Sequence, residues 1–126
     1  MKYVLIYILL FCILISACLG SAIYVSNTIY VTETFLQNAL IFQEKGNNQQ
    51  AAAEVHNAAE HWKRCQSWFG MLLKHEEIDT VEGEFSSLQA YVNSKDQDDF
   101  RSNCASLLST LQHIREMEWP YWENIF

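Results

Sequence analysis

With 126 residues and a formal net charge of −7, the chain has room for one small domain and is too acidic to gather nucleic-acid phosphates. One Pro and four Gly leave few turn formers, which favours helices. The four Cys form no CxxC pair and no disulfide-rich spacing.

The chain opens on an apolar run, residues 3–25, and no charge falls between Lys2 and Glu33. As a helix, 23 residues span roughly 34 Å, enough for the ~30 Å hydrocarbon core of a bilayer. A core helix of a small soluble domain rarely stays apolar on every face for that length. Lys2 and the amino terminus are the only positive charges before Lys45. The inside-positive bias therefore keeps the N-terminus cytoplasmic and sends the body across. Tyr3, Tyr7, Tyr24 and Tyr30 suit the two membrane interfaces.

Two other treatments of this run compete. Ile15-Ser16-Ala17-Cys18 matches a lipoprotein cleavage pattern, with Cys18 as the lipidated residue. A cleaved signal peptide is the third reading, but its apolar region would be shorter. Residues 19–25 stay apolar after Cys18, where a mature lipoprotein usually begins with a polar tether. The uncleaved anchor is preferred on both grounds.

The division is thus a transmembrane anchor, residues 1–25, and an extracytoplasmic helical domain, residues 26–126. The anchor helix is expected to run on to Lys45, with Val31, Phe35, Ala39 and Phe42, flanked by Leu36 and Leu40, as its inner face. Gly46-Asn47-Asn48-Gln49 then breaks the chain, Gly ending one helix and Asn capping the next. The second helix is expected from about Gln49 to about Lys74. Ala51, Val55, Ala58, Trp62, Cys65, Phe69 and Leu72 alternate spacings of four and three, an apolar seam.

The seam changes phase near His75, which predicts a turn. A third helix follows on Ile78, Val81, Phe85, Leu88 and Val92, with Glu76, Glu77 and Asp79 at its start. One long bent helix, residues 49–93, is the alternative. Asn93-Ser94-Lys95-Asp96 is turn-like. A fourth helix carries Phe100, Cys104, Leu107, Leu111 and Ile114, and Pro120 stops it. Four helices with short links predict an all-α fold, the anchor helix continuing into an up-down antiparallel bundle. That topology returns Trp62, Trp68 and Phe69, and then Trp119, Tyr121 and Trp122, toward the membrane.

His75-Glu76-Glu77-Ile78-Asp79 leading into Glu82, Leu88 and Tyr91 resembles a bacterial family, domain of unknown function 4363. Trp62 and Trp68 are similar to that family's Trp-containing second helix. His113-Ile114 through Glu116, then Glu123-Asn124-Ile125-Phe126, resembles its ending. The order of these motifs and the total length carry the match. The resemblance implies a small, single-anchored, mostly helical protein of spore-forming and related bacteria. It implies no activity, so no functional residue carries over. Pro120 and the doubled Trp depart from the family's leucine-rich ending.

Sharper readings of single residues have plainer rivals. His61 and Cys65 stand one turn apart, but two ligands do not make a closed zinc site, and no metal or other cofactor is expected. Cys65 and Cys104 share the apolar seams and are a candidate disulfide on the oxidising side. Glu76, Glu77, Asp79, Glu82 and Glu84 read as a solvated acidic face rather than acid-base machinery. No elbow frames a serine nucleophile and no Gly-rich loop cradles phosphate, so no enzyme is expected. Trp119, Tyr121, Trp122 and Phe126 are the candidate interaction surface, because clustered aromatics mark contacts. The function expected is a membrane-anchored interaction or assembly module with an unknown protein partner. A small-ligand-binding or sensory bundle, tethered through Cys18 if lipidated, is the alternative.

Overall fold

The computed structural model describes residues 1–72, 74–92, 94 and 96–118, with side chains for all but 68–72 and 118. Four helices run in order: α1 Lys2–Glu44, α2 Asn48–Leu72, α3 His75–Val92 and α4 Gln97–Glu118. Each packs against its neighbours in a ring, α1 on α2, α2 on α3, α3 on α4 and α4 back on α1. Gln43 near the end of α1 reaches Gln97 at the start of α4, and Gln66 late in α2 reaches Glu82 early in α3. The expected up-down antiparallel bundle is therefore the fold.

The first turn is built from its residues. Gly46 has φ of 79°, in the left-handed region that a residue with a Cβ enters at a cost. That turn lets the Gly46 N–H reach the Gln43 carbonyl at 3.0 Å and the Asn47 N–H reach the Phe42 carbonyl at 2.9 Å. These two bonds satisfy carbonyls that the helix end leaves open. Asn47 Oδ1 then accepts from the Gln50 N–H at 3.1 Å and caps α2. Gly and Asn act as their spacing predicted.

α2 and α3 are separate helices, with Lys74 outside both. The Lys74 carbonyl accepts the N–H groups of Glu77 and Ile78 and starts α3. Glu76 and Glu77 lie in its first turn, and Asp98 and Asp99 in that of α4, where the helix dipole favours acids.

The three later seams pack as their period predicts. Ala51, Val55, Ala58, Trp62 and Cys65 of α2 are buried, with every expected seam residue of α3 and α4. Phe69 and Leu72 lie outside the described side chains.

The α1 seam is shifted from its expected place. Its buried residues are Ala22, Val25, Thr28, Ile29, Thr32, Leu36, Ala39 and Gln43. Phe35, Leu40 and Phe42 are only partly buried and flank the core, and Val31 is half-buried. Two threonines, Thr28 and Thr32, hold seam positions, and the Thr32 hydroxyl needs no partner outside its helix: its Oγ1 donates to the Thr28 carbonyl at 2.9 Å. What remains of each side chain is a branched, apolar shape.

Burial on α1 begins at Ala22, and residues 1–20 are exposed along their whole length. They extend about 30 Å from one end of the bundle, here called its base. The Gly46 turn lies at the opposite end, the tip. α1 is long and apolar enough to cross a membrane, and it is the one such helix among the described residues.

Candidate functional site

Antiparallel packing of α2 on α3 leaves an open groove of about 470 Å³ between them. Its floor is Ala59, Trp62 and Phe85, and its walls carry His56, Glu60, Lys63 and Gln66 from α2 and Glu82, Ser86 and Gln89 from α3. Gln66 Nε2 donates to Glu82 Oε1 across it. Trp62 is 1% exposed and belongs to the core, so the groove meets it from outside. The walls offer amides, a hydroxyl and charges of both signs. They can bind a polar partner.

A second depression, about 380 Å³, lies between α3 and α4 at the base. Lys74, Glu76, Glu77 and Thr80 face Thr110, His113, Ile114 and Met117 there. The acidic cluster is not one solvated face. Glu76, Asp79 and Glu82 are exposed, but Glu84 is half-buried and its Oε1 accepts from Thr110 Oγ1 of α4 at 3.0 Å. The sequence held no signal for that pair, since its members are 26 residues apart.

His61 is half-buried against α1, its ring tilted 6.4 Å from that of Phe35. Loss of hydration lowers its pKa, and nearby Arg64 lowers it further. Among the described residues, no three His, Cys, Asp or Glu side chains stand where they could hold a metal ion.

The cysteines occupy three settings. Cys12 and Cys18 are exposed on the projecting segment, and Cys65 and Cys104 are buried free thiols. Cys65 lies beside Tyr24 of α1. Cys104 Sγ donates to the Leu36 carbonyl at 3.8 Å, and burial pushes its pKa up to about 12. Tyr24 and Leu36 are twelve residues apart, so the two thiols meet α1 at levels roughly 18 Å apart. A disulfide needs Cα atoms within about 7 Å, and this fold does not bring the pair together. Trp119, Tyr121, Trp122 and Phe126 lie outside the described residues.

Helical hairpins closing a ring of four, with one bare apolar extension, define a four-helix bundle carrying, among the described residues, one candidate membrane-spanning helix. Residues 21–125 match the family described as Domain of unknown function (DUF4363), and the chain belongs to that family. The match begins one residue before burial begins on α1. No curated protein and no solved structure matches the chain.

Proposed function

We propose that the protein is a single-pass, membrane-anchored interaction module that acts through its surfaces rather than through catalysis. One observation carries this reading. Residues 1–20 are wholly exposed, contain no charge except Lys2, and reach about the thickness of a hydrocarbon core. Exposed apolar length on that scale costs far too much in water to leave uncovered. A bilayer covers it fully. The thin positive end at Lys2 supports an N-terminus in the cytoplasm and a bundle outside. A protein partner would meet the bundle at the tail, Trp119 to Phe126, and at the acidic start of α3.

Two measurements test this. A membrane-impermeant maleimide should label Ser87→Cys in intact cells; labelling only after lysis would reverse the topology. Photocrosslinking from Trp122 and Glu82 in native membranes should recover one reproducible partner, and its absence at both sites would defeat the interaction role.

The second reading keeps the bundle and changes the tether. Cys18 is exposed, and only Leu19, Gly20 and Ser21 separate it from the first buried residue. Lipidation there would hold the bundle flush against the membrane. Intact mass separates the two: a diacylglyceryl addition on a chain beginning at Cys18 supports the lipoprotein, and an unshortened chain supports the anchor. A small polar ligand in the α2–α3 groove is the remaining alternative, favoured by the amides, hydroxyl and charges on its walls.

A further inference from the structure

α1 has a second face, turned away from the bundle. Beyond Ala22 its exposed residues are Ile23, Tyr24, Asn27, Tyr30, Thr34, Gln37, Ile41 and Glu44. From Ile23 to Ile41, leaving out Tyr24, these recur at spacings of four and three. The same alternation continues back through Gly20 to Ser16 in the projecting segment. This is the repeat by which one helix presents a continuous seam to another. The bundle seam of α1 uses the opposite side.

The face is also uncharged between Lys2 and Glu44. Glu33 is the one charged residue in that interval, and it is turned aside to Arg115 of α4. The other helices all expose charge: Lys63 and Arg64 on α2, Glu76, Asp79 and Glu82 on α3, Asp98, Arg101 and Glu116 on α4. Among the described residues past Gly20, the exposed large apolar side chains are Ile23, Tyr24, Tyr30, Ile41, Tyr91 and Met117, and four of those six belong to α1.

We infer that a second copy of this chain docks on this face, α1 beside α1 in parallel, from the bilayer to the tip. The occupant follows from charge and orientation. Each body carries a net charge of about −8 without Lys2, and pairing α1 with α1 brings two of them together without setting exposed charge against exposed charge between Lys2 and Glu44. A shared anchor sets all copies upright in one membrane, so identical faces meet about a two-fold axis, parallel and in register. Asn27 falls at an a-type position of the repeat, where paired amides fix register and strand number at some cost in stability. Ser16 and Gly20, small residues four apart, let the two backbones approach within the membrane. A Cβ added at Gly20 would touch nothing in its own chain, so the protomer's packing does not require glycine there.

The inference rests on the bilayer-crossing reading of residues 1–20. The test uses the full-length chain in phosphatidylcholine vesicles, with Cys12→Ser and Cys18→Ser as background. Tyr30→Cys and Thr34→Cys probe the α1 face, and Ser87→Cys and Ser109→Cys probe exposed positions on α3 and α4. Under copper–phenanthroline oxidation, the α1 positions should give a disulfide-linked dimer at least tenfold above the α3 and α4 positions. That yield should hold when lipid is increased tenfold. Equal yields at all four positions, or yields falling in step with dilution, would overturn the dimer. Carbonate extraction of the same vesicles keeps the two readings apart. Extractable protein sinks the bilayer-crossing reading and the dimer with it. Retained protein without crosslinks sinks the dimer alone.

Discussion

The Arg115 guanidinium lies 3.2 Å from the Glu33 carboxylate, joining the last turn of α4 to α1 in the one salt bridge among the described residues. The Glu33 side chain is 15% exposed and that of Arg115 is 32% exposed. Burial raises the Glu33 pKa, and Arg115 offsets only part of that rise. Loss of hydration therefore outweighs the attraction. Glu33→Gln should change stability by no more than about 1 kcal/mol in either direction. Arg115→Met strands the carboxylate and should cost more, about 1–3 kcal/mol. Because the folded Glu33 pKa lies above the unfolded one, the penalty is full above the folded value. It fades as pH falls through that value, so the Arg115→Met deficit should narrow on acidification. Denaturant melts of the three proteins at two pH values measure this.

His61 gives the opposite pH trend. Its folded pKa is lowered, while an unfolded imidazole titrates near ~6.5. As pH falls below that value, protons bind the unfolded chain first, and stability drops until the folded imidazole also titrates. Above it the contribution is flat. His61→Gln should flatten this part of the stability profile between about pH 7 and pH 5. An unchanged slope in the variant would assign it to other groups.

Gly46→Ala tests the turn at the tip. An added Cβ meets no atom within 4 Å, so the effect is conformational and not steric crowding by neighbours. A left-handed alanine costs about 1–2 kcal/mol. Asn47→Ala removes the cap bond to Gln50 and should cost about 1 kcal/mol. Thermal unfolding by circular dichroism resolves both.

Trp62 is the largest fully buried side chain among the described residues. Trp62→Ala should destabilise by about 3–5 kcal/mol, because the surrounding helices cannot collapse onto the void. Cys104 should resist alkylation at pH 8 in the folded protein, since burial holds it as the neutral thiol. Mass spectrometry after a short iodoacetamide pulse should find Cys104 modified only with denaturant present.

Deleting residues 1–20 should leave the bundle folded. None of those side chains is buried against α2, α3 or α4, and burial begins at Ala22. The truncated chain should stay in the supernatant and unfold within a few degrees of the detergent-solubilised full chain.

The local pattern alone identified the inner faces of the later three helices, while the structure decided that α2 and α3 are separate rather than one bent helix. A four-three alternation in α2, α3 and α4 identifies their inner faces because polar residues fill the others, and Gly46 with Asn47 marks the first turn by backbone chemistry. The same logic fails on α1. Around residues 22–32 nearly every side chain is apolar or β-branched, so no face stands out. Only packing chose Thr28 and Thr32 over Val31, with the Thr32 hydroxyl satisfied within its own helix. Packing also placed Gln43 in the core, its amide donating to the Gln97 carbonyl at 3.2 Å. The α2–α3 groove and the Glu33–Arg115 and Glu84–Thr110 pairs draw on residues of different helices, and no periodicity along one helix encodes them. What the tertiary structure decided was distance: it separated Cys65 from Cys104 and turned Glu33 inward, which leaves the outer face of α1 without charge.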